Sequence, residues 1–118
     1  MTTKAKTYTK ELNLQKAIQL DCSSQGWIAE HYESKKLLLP SGRYADSGVP
    51  KGYPDLSVYT GDGIVCFVEC KVGYNKQSDE QILFEKRMTK LGYLYQVIYN
   101  MNQWEVYKQQ IIDKYLTY

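Results

Sequence analysis

The sequence predicts an α/β fold in a single domain, with a central sheet covered on both faces, in the order helix, strand, strand, strand, helix, strand, helix. Three observations predict it. Apolar residues recur at helical spacing in three stretches: Leu14, Ala17, Ile18 and Cys22; Phe84, Met88 and Leu91; Trp104, Tyr107, Ile111 and Tyr115. The run from Ile64 to Val72 begins apolar on both of its alternating faces, as a strand buried on both sides does. Thr60-Gly61-Asp62-Gly63 joins that run to an earlier strand-like one through a strong turn signal. With 118 residues the chain is long enough for one core, and it shows no internal repeat or low-complexity tract.

Residues 1–8 read as a mobile basic arm. A helix is expected from Thr9 to Ser24, ended by Gly26. Glu11 lies three residues before Leu14 and seven before Ile18, so it projects from the first turn on the apolar face. Helix-dipole stabilisation and a functional role both suit an acid there. Trp27 to Glu33 reads as a strand. Residues 34–53 read as a long loop with Pro40, Gly42, Gly48, Pro50 and Gly52, and with Lys35, Lys36, Arg43 and Lys51 on it. Flexible backbone and basic side chains suit phosphate contact as well as plain solvation.

Leu56 to Tyr59 and Ile64 to Val72 form the hairpin strands. Asp62 is midway between Asp55 and Glu69, so an odd-length turn centred on it sets the two acids opposite each other, with β-carbons roughly 5 Å apart. A two-residue Asp62-Gly63 turn would instead slip the register by one and place them on opposite faces. Two carboxylates that close repel unless a cation lies between them. Ser78-Asp79-Glu80-Gln81 is a capping box opening a helix to about Leu91, which Gly92 closes. Tyr93 to Tyr99 is a strand, and Asn102 is expected to cap the last helix.

Composition excludes several classes. The chain is 43% hydrophobic and 24% charged, with no apolar run near the length of a membrane span. The lysines near Met1 precede no apolar segment, so a signal peptide is not expected and an intracellular, cytoplasmic protein is. Cys22, Cys66 and Cys70 lack zinc or disulfide spacing and read as reduced buried thiols; His31, the one histidine, reads as structural. A net charge of +2 does not by itself announce nucleic acid.

The pieces Gly52-Tyr53-Pro54-Asp55-Leu56, Val68-Glu69-Cys70-Lys71-Val72 and Ser78-Asp79-Glu80-Gln81, in that order on those elements, resemble the virus-type replication-repair nuclease (VRR-NUC) domain of the PD-(D/E)XK nuclease superfamily. The resemblance spans residues 9 to about 105. It implies a restriction-endonuclease-like core, a mixed central sheet flanked by helices. By resemblance Asp55 and Glu69 are metal-binding acids, joined by the backbone carbonyl of Cys70, and Lys71 orients the attacking water and neutralises the phosphate. Gln81 matches the family glutamine at the start of the second core helix, although it is equally the capping-box partner. Glu11 matches the first-helix glutamate, a catalytic residue with a possible metal contact.

The resemblance further implies Mg2+ or Mn2+ as cofactor and phosphodiester hydrolysis in DNA. Lys35, Lys36, Arg43, Lys51 and Lys76 are candidate DNA contacts. Small stand-alone members look like phage or bacterial enzymes acting as homodimers on branched DNA, such as Holliday junctions, and the aromatic last helix and exposed tyrosines are candidate interface. A monomeric nicking or flap endonuclease, or a nuclease-like fold that binds without cutting, are the alternatives.

Overall fold

The computed structural model of the protein describes residues 10–31, 36–46 and 52–116. Along the chain these form α1 (Glu11–Ser24), β1 (Ile28–His31), β2 (Lys36–Leu38), β3 (Tyr44–Asp46), β4 (Leu56–Tyr59), β5 (Val65–Cys70), α2 (Asp79–Lys90), β6 (Leu94–Ile98) and α3 (Met101–Tyr115). The N-terminal arm, Lys35, Lys51 and the end of the strand expected to reach Glu33 lie outside the described residues, as does the side chain of Lys36.

Four strands form the main sheet in the order β1-β4-β5-β6. β1 and β4 are antiparallel, β4 and β5 are antiparallel, and β5 and β6 run parallel, so the sheet is mixed. The parallel pair is joined through α2, the crossover that a parallel connection requires. The expected order holds for this sheet. The segment expected to be only a loop carries an addition: β2 and β3 pair antiparallel as a separate two-stranded ladder, Lys36 against Asp46 and Leu38 against Tyr44. Gly42, at φ +81°, turns that connection, and Leu39 N donates to Arg43 O at 2.8 Å. Strands of three residues carry too little alternation to stand out beside the glycines and prolines around them.

The core lies on one face of the sheet. Leu56 and Val58 of β4, Cys66, Val68 and Cys70 of β5 and Ile98 of β6 are buried against Leu14, Ile18 and Cys22 of α1 and Trp104, Tyr107 and Ile111 of α3. On the aromatic side of the last helix Trp104 and Tyr107 are thus core, while Tyr115 is exposed, as are Tyr59, Tyr74 and Tyr93 among the described residues. Asp21 ties the two helices together, accepting from Trp104 Nε1 at 2.7 Å and Lys108 Nζ at 2.8 Å. All three cysteines are free and buried, as expected. Burial pushes the thiols of Cys22 and Cys66 up to about 12.

The opposite face is taken by the alternate residues of the same strands, Ser57, Phe67 and Glu69, and by Tyr95 of β6, which pairs with Phe67. α2 packs over β6 on this side without burying any residue fully. Phe84 and Met88 are half-buried as predicted for its inner face, but Leu91 follows the helix as its C-cap and is exposed. The cap of α3 is Asn100, two residues earlier than expected: its backbone is extended and its Oδ1 accepts from Gln103 N at 2.9 Å. Among the described residues no helix is long and apolar enough to cross a membrane.

Candidate active site

The β4–β5 turn determines where the acids meet. Leu56 pairs with Val68 and Tyr59 with Val65, so the ladder is centred on Asp62, which sits at φ 57° in the connection. This is the odd-length register, and its continuation by one pair sets Asp55 opposite Glu69. Asp55 is half-buried just before β4, and its Oδ2 accepts the backbone N–H of Cys70 at 2.6 Å. That bond explains why the acid stays at the strand end: the Cys70 amide faces the carboxylate. The Cys70 thiol points the other way, into the core, as predicted.

Glu69 is fully buried on the second face of the sheet. Tyr95 donates its hydroxyl to Glu69 Oε1 at 2.7 Å. Glu69 Oε2 is buried and has no hydrogen-bond partner. Lys71 follows β5, its backbone N–H donating to Ile98 O at 3.0 Å, and the residue is 8% exposed. Glu11 opens α1, half-buried, and its Oε1 accepts from Asn75 Nδ2 at 3.1 Å. Asn75 is held in turn by Tyr99, whose hydroxyl donates to Asn75 O at 3.0 Å.

The electrostatics couple Asp55 and Glu69 to each other and to Lys71. Burial raises the Asp55 carboxyl above its usual range; the Cys70 N–H lowers it, Glu11 raises it, and Lys71 and His31 lower it. Burial likewise raises Glu69, against the lowering effect of the Tyr95 hydroxyl, Lys71 and Gln77, while Asp55 adds to the rise. Asp55 thus lies in the field of Glu11, Lys71 and His31, and Glu69 in that of Lys71 and Asp55. Asp55 and Glu69 are each destabilised as anions chiefly because water has been removed from them.

The remaining predicted residues with described side chains are Gln81, Arg43 and Lys76. Gln81 uses its side chain in the capping box: its Oε1 accepts from Ser78 N at 2.8 Å and its N–H donates to Ser78 Oγ at 3.2 Å. Arg43 and Lys76 are exposed, Arg43 in the β2–β3 connection and Lys76 beside Asn75. The structure adds residues that the sequence did not mark. Tyr95 and Asn75 hold the two glutamates; His31, read from the sequence as structural, has its Nδ1 3.0 Å from the Asp55 carbonyl oxygen. Tyr95 had a faint signal, since it alternates along β6 with core residues; Asn75, in a loop, had none.

The donor set can be tested against a metal ion. Asp55 and Glu69 offer hard oxygens, and the bare buried Oε2 of Glu69 is an acceptor that a cation would satisfy. Among the described residues no group of three or more His, Cys, Asp or Glu side chains could hold an ion by itself. The set therefore fits an ion that retains several waters, as Mg2+ does, and not an all-protein cage.

No family model and no curated protein matches the chain. Among solved structures it is similar to one described as a VRR_NUC domain, with 26% sequence identity and a TM-score of 0.63. The alignment covers 92% of this chain and 99% of the other. The chain therefore has the VRR_NUC nuclease fold, and the resemblance read from its sequence holds in three dimensions.

Proposed function

We propose that the protein is a Mg2+- or Mn2+-dependent deoxyribonuclease that hydrolyses phosphodiester bonds in branched DNA as a homodimer. One observation carries this reading: a fully buried glutamate, Glu69, keeps one oxygen bare beside Asp55 and Lys71. A buried acceptor with nothing to accept costs stability, and a cation beside two carboxylates is the ligand that would complete this one.

Asp55, Glu69 and the Cys70 carbonyl would hold the ion, which when bound lowers the pKa of a water and stabilises charge on the phosphate. The Cys70 N–H holds Asp55 in place, and Tyr95 holds Glu69. Lys71 brings a positive charge to the same end of the sheet, where it orients the attacking water and offsets the negative phosphate. Glu11, held by Asn75, would accept a hydrogen bond from that water. Gln81 has an amide nitrogen left over from its cap and presents it to the substrate. Arg43 and Lys76, with Lys35, Lys36 and Lys51, supply the non-specific contacts to the DNA backbone.

Recognition of shape, not sequence, suits described residues that show one nuclease-like fold and no helix-turn-helix or zinc finger. Paired cuts across a junction need two sites, which a twofold homodimer supplies. The test is cleavage of end-labelled four-way junction, flap, nicked and linear duplex DNA with Mg2+, Mn2+ or EDTA, beside Glu69→Ala. Symmetrical junction cuts that need metal and vanish in the variant are expected, with dimer in sedimentation. Cuts confined to flaps or nicks would replace the substrate, and DNA binding without cleavage would replace the enzyme with a binding module.

A further inference from the structure

The two oxygens of Glu69 are unequal. Oε1 receives the Tyr95 hydroxyl at 2.7 Å, whereas Oε2 is buried with no partner at hydrogen-bond distance, the Gln77 side chain acting on the carboxyl from farther off. The inequality is built into the sheet. β5 and β6 are parallel neighbours, with Phe67 against Tyr95 and Glu69 against Val97, so Tyr95 sits on Glu69's face one register step away. A tyrosine spans that step, and its hydroxyl meets the nearer carboxylate oxygen. Tyr95 itself is half-buried, so water competes only partly for the bond.

We infer that Tyr95 is a positioning residue that leaves Glu69 one free oxygen and so fits the site to a small six-coordinate cation in preference to Ca2+. The inference rests on the metal-dependent reading above. Ca2+ takes six to eight oxygens and commonly binds both oxygens of one carboxylate, while Mg2+ demands near-octahedral geometry at short distance. A hydroxyl donating to Oε1 competes with a two-oxygen contact for that oxygen. It also locks the carboxylate plane, the role that outer-shell donors play for metal ligands generally. Replacing Tyr95 by Phe keeps the ring and removes only the donor. Oε1 is then free, the carboxylate can rotate, and the larger ion gains most.

The experiment is Mn2+ titration of the full chain without DNA, read by water-proton relaxation, with Ca2+ as competitor, on wild type, Tyr95→Phe and Glu69→Ala. Tyr95→Phe is expected to bind Mn2+ about tenfold more weakly, with Ca2+ displacing it at lower concentration relative to wild type. If Glu69→Ala loses Mn2+ while Tyr95→Phe matches wild type in both titrations, Tyr95 does not position Glu69 and the inference falls alone. If Glu69→Ala binds Mn2+ like wild type, the metal-site reading falls and takes the inference with it. A second measurement does not depend on the folding of Tyr95→Phe. 3-Fluorotyrosine placed at position 95 alone should show a fluorine shift on Mg2+ saturation that is absent in the Glu69→Ala background; no shift in the otherwise wild-type protein overturns the proposal.

Discussion

Asp55 and Cys70 are joined across neighbouring strands by a side chain-to-backbone bond of 2.6 Å, the carboxylate accepting the amide hydrogen. The acid at the mouth of β4 is thereby anchored to the last residue of β5, next to Glu69 and Lys71. The bond separates two functions of Asp55 that can be tested independently. Asparagine keeps an acceptor for the Cys70 N–H but loses the charge; alanine loses both. Asp55→Asn is expected to fold with near wild-type stability and to lose DNA cleavage by at least about 100-fold. Asp55→Ala should lose the same activity and in addition about 1–3 kcal/mol of stability, because the Cys70 N–H is orphaned. Urea denaturation beside a cleavage assay checks both; equal stability of the two variants would mean the bond contributes nothing.

Glu69 is raised by burial, which gives the metal-free protein a particular pH dependence. The native state holds a proton on Glu69 more tightly than the unfolded chain does. Stability from this group is therefore greatest at low pH. It falls as pH rises from the ordinary glutamate value of about 4.3 toward the higher folded value. Glutamine at this position is neutral throughout and can still accept from Tyr95. In EDTA, Glu69→Gln is expected to melt a few degrees above wild type at about pH 7, the gap shrinking as pH approaches about 4. Added Mg2+ should raise the melting temperature of wild type and leave the variant unmoved. A variant that melts below wild type at neutral pH in EDTA would contradict the assignment of Glu69 as a destabilised buried anion.

How much of this was legible beforehand depended on the range of the interaction. Local rules worked where a side chain meets its own neighbours. Ser78 and Gln81 form the predicted capping box, and the turn centred on Asp62 delivers the register that brings Asp55 to Glu69. The two-sided apolar run from Ile64 correctly marked the central strand. Partners fixed by parallel pairing were not legible, because β5 and β6 are joined through a helix and the sequence does not state their register. Tyr95 therefore went unmarked, although it makes the shortest side-chain bond to Glu69. The β2–β3 ladder was lost among glycines and prolines. The choice between Asn100 and Asn102 as cap turned on backbone geometry, which two asparagines in one segment do not reveal.

Gly52 stands at φ +82° against the first turn of α2. A β-carbon there would collide with the Glu80 carbonyl and come within 2.9 Å of Gln81 N. The close approach leads the chain past α2, with the Tyr53 ring on Phe84 at 5.1 Å, and on to Asp55. Gly73 offers a matched comparison, with φ +60° and open space around the missing β-carbon. Gly73→Ala should cost only the backbone strain, about 1–2 kcal/mol. Gly52→Ala should cost more than Gly73→Ala and also lower cleavage, because Asp55 shifts with the segment. Denaturation of both variants decides; equal losses would mean that the segment yields at no cost.

Gln81 is the residue whose two possible roles the structure separates most cleanly by atom. Its Oε1 completes the capping box on Ser78 N, and its backbone N–H is taken by Ser78 Oγ. The amide nitrogen remains for any part in DNA cleavage. Glutamate is as good as glutamine at this capping position, since the oxygen does the work there and an acid near a helix N-terminus is favoured. Gln81→Glu therefore preserves the cap while turning the spare donor into a negatively charged acceptor, which faces a phosphate unfavourably. The expected outcome is a melting temperature equal to or slightly above wild type with cleavage reduced about tenfold or more. Gln81→Ala removes both roles and should lose about 1 kcal/mol as well. Wild-type cleavage by Gln81→Glu at unchanged stability would assign Gln81 to the helix alone and remove it from the active site.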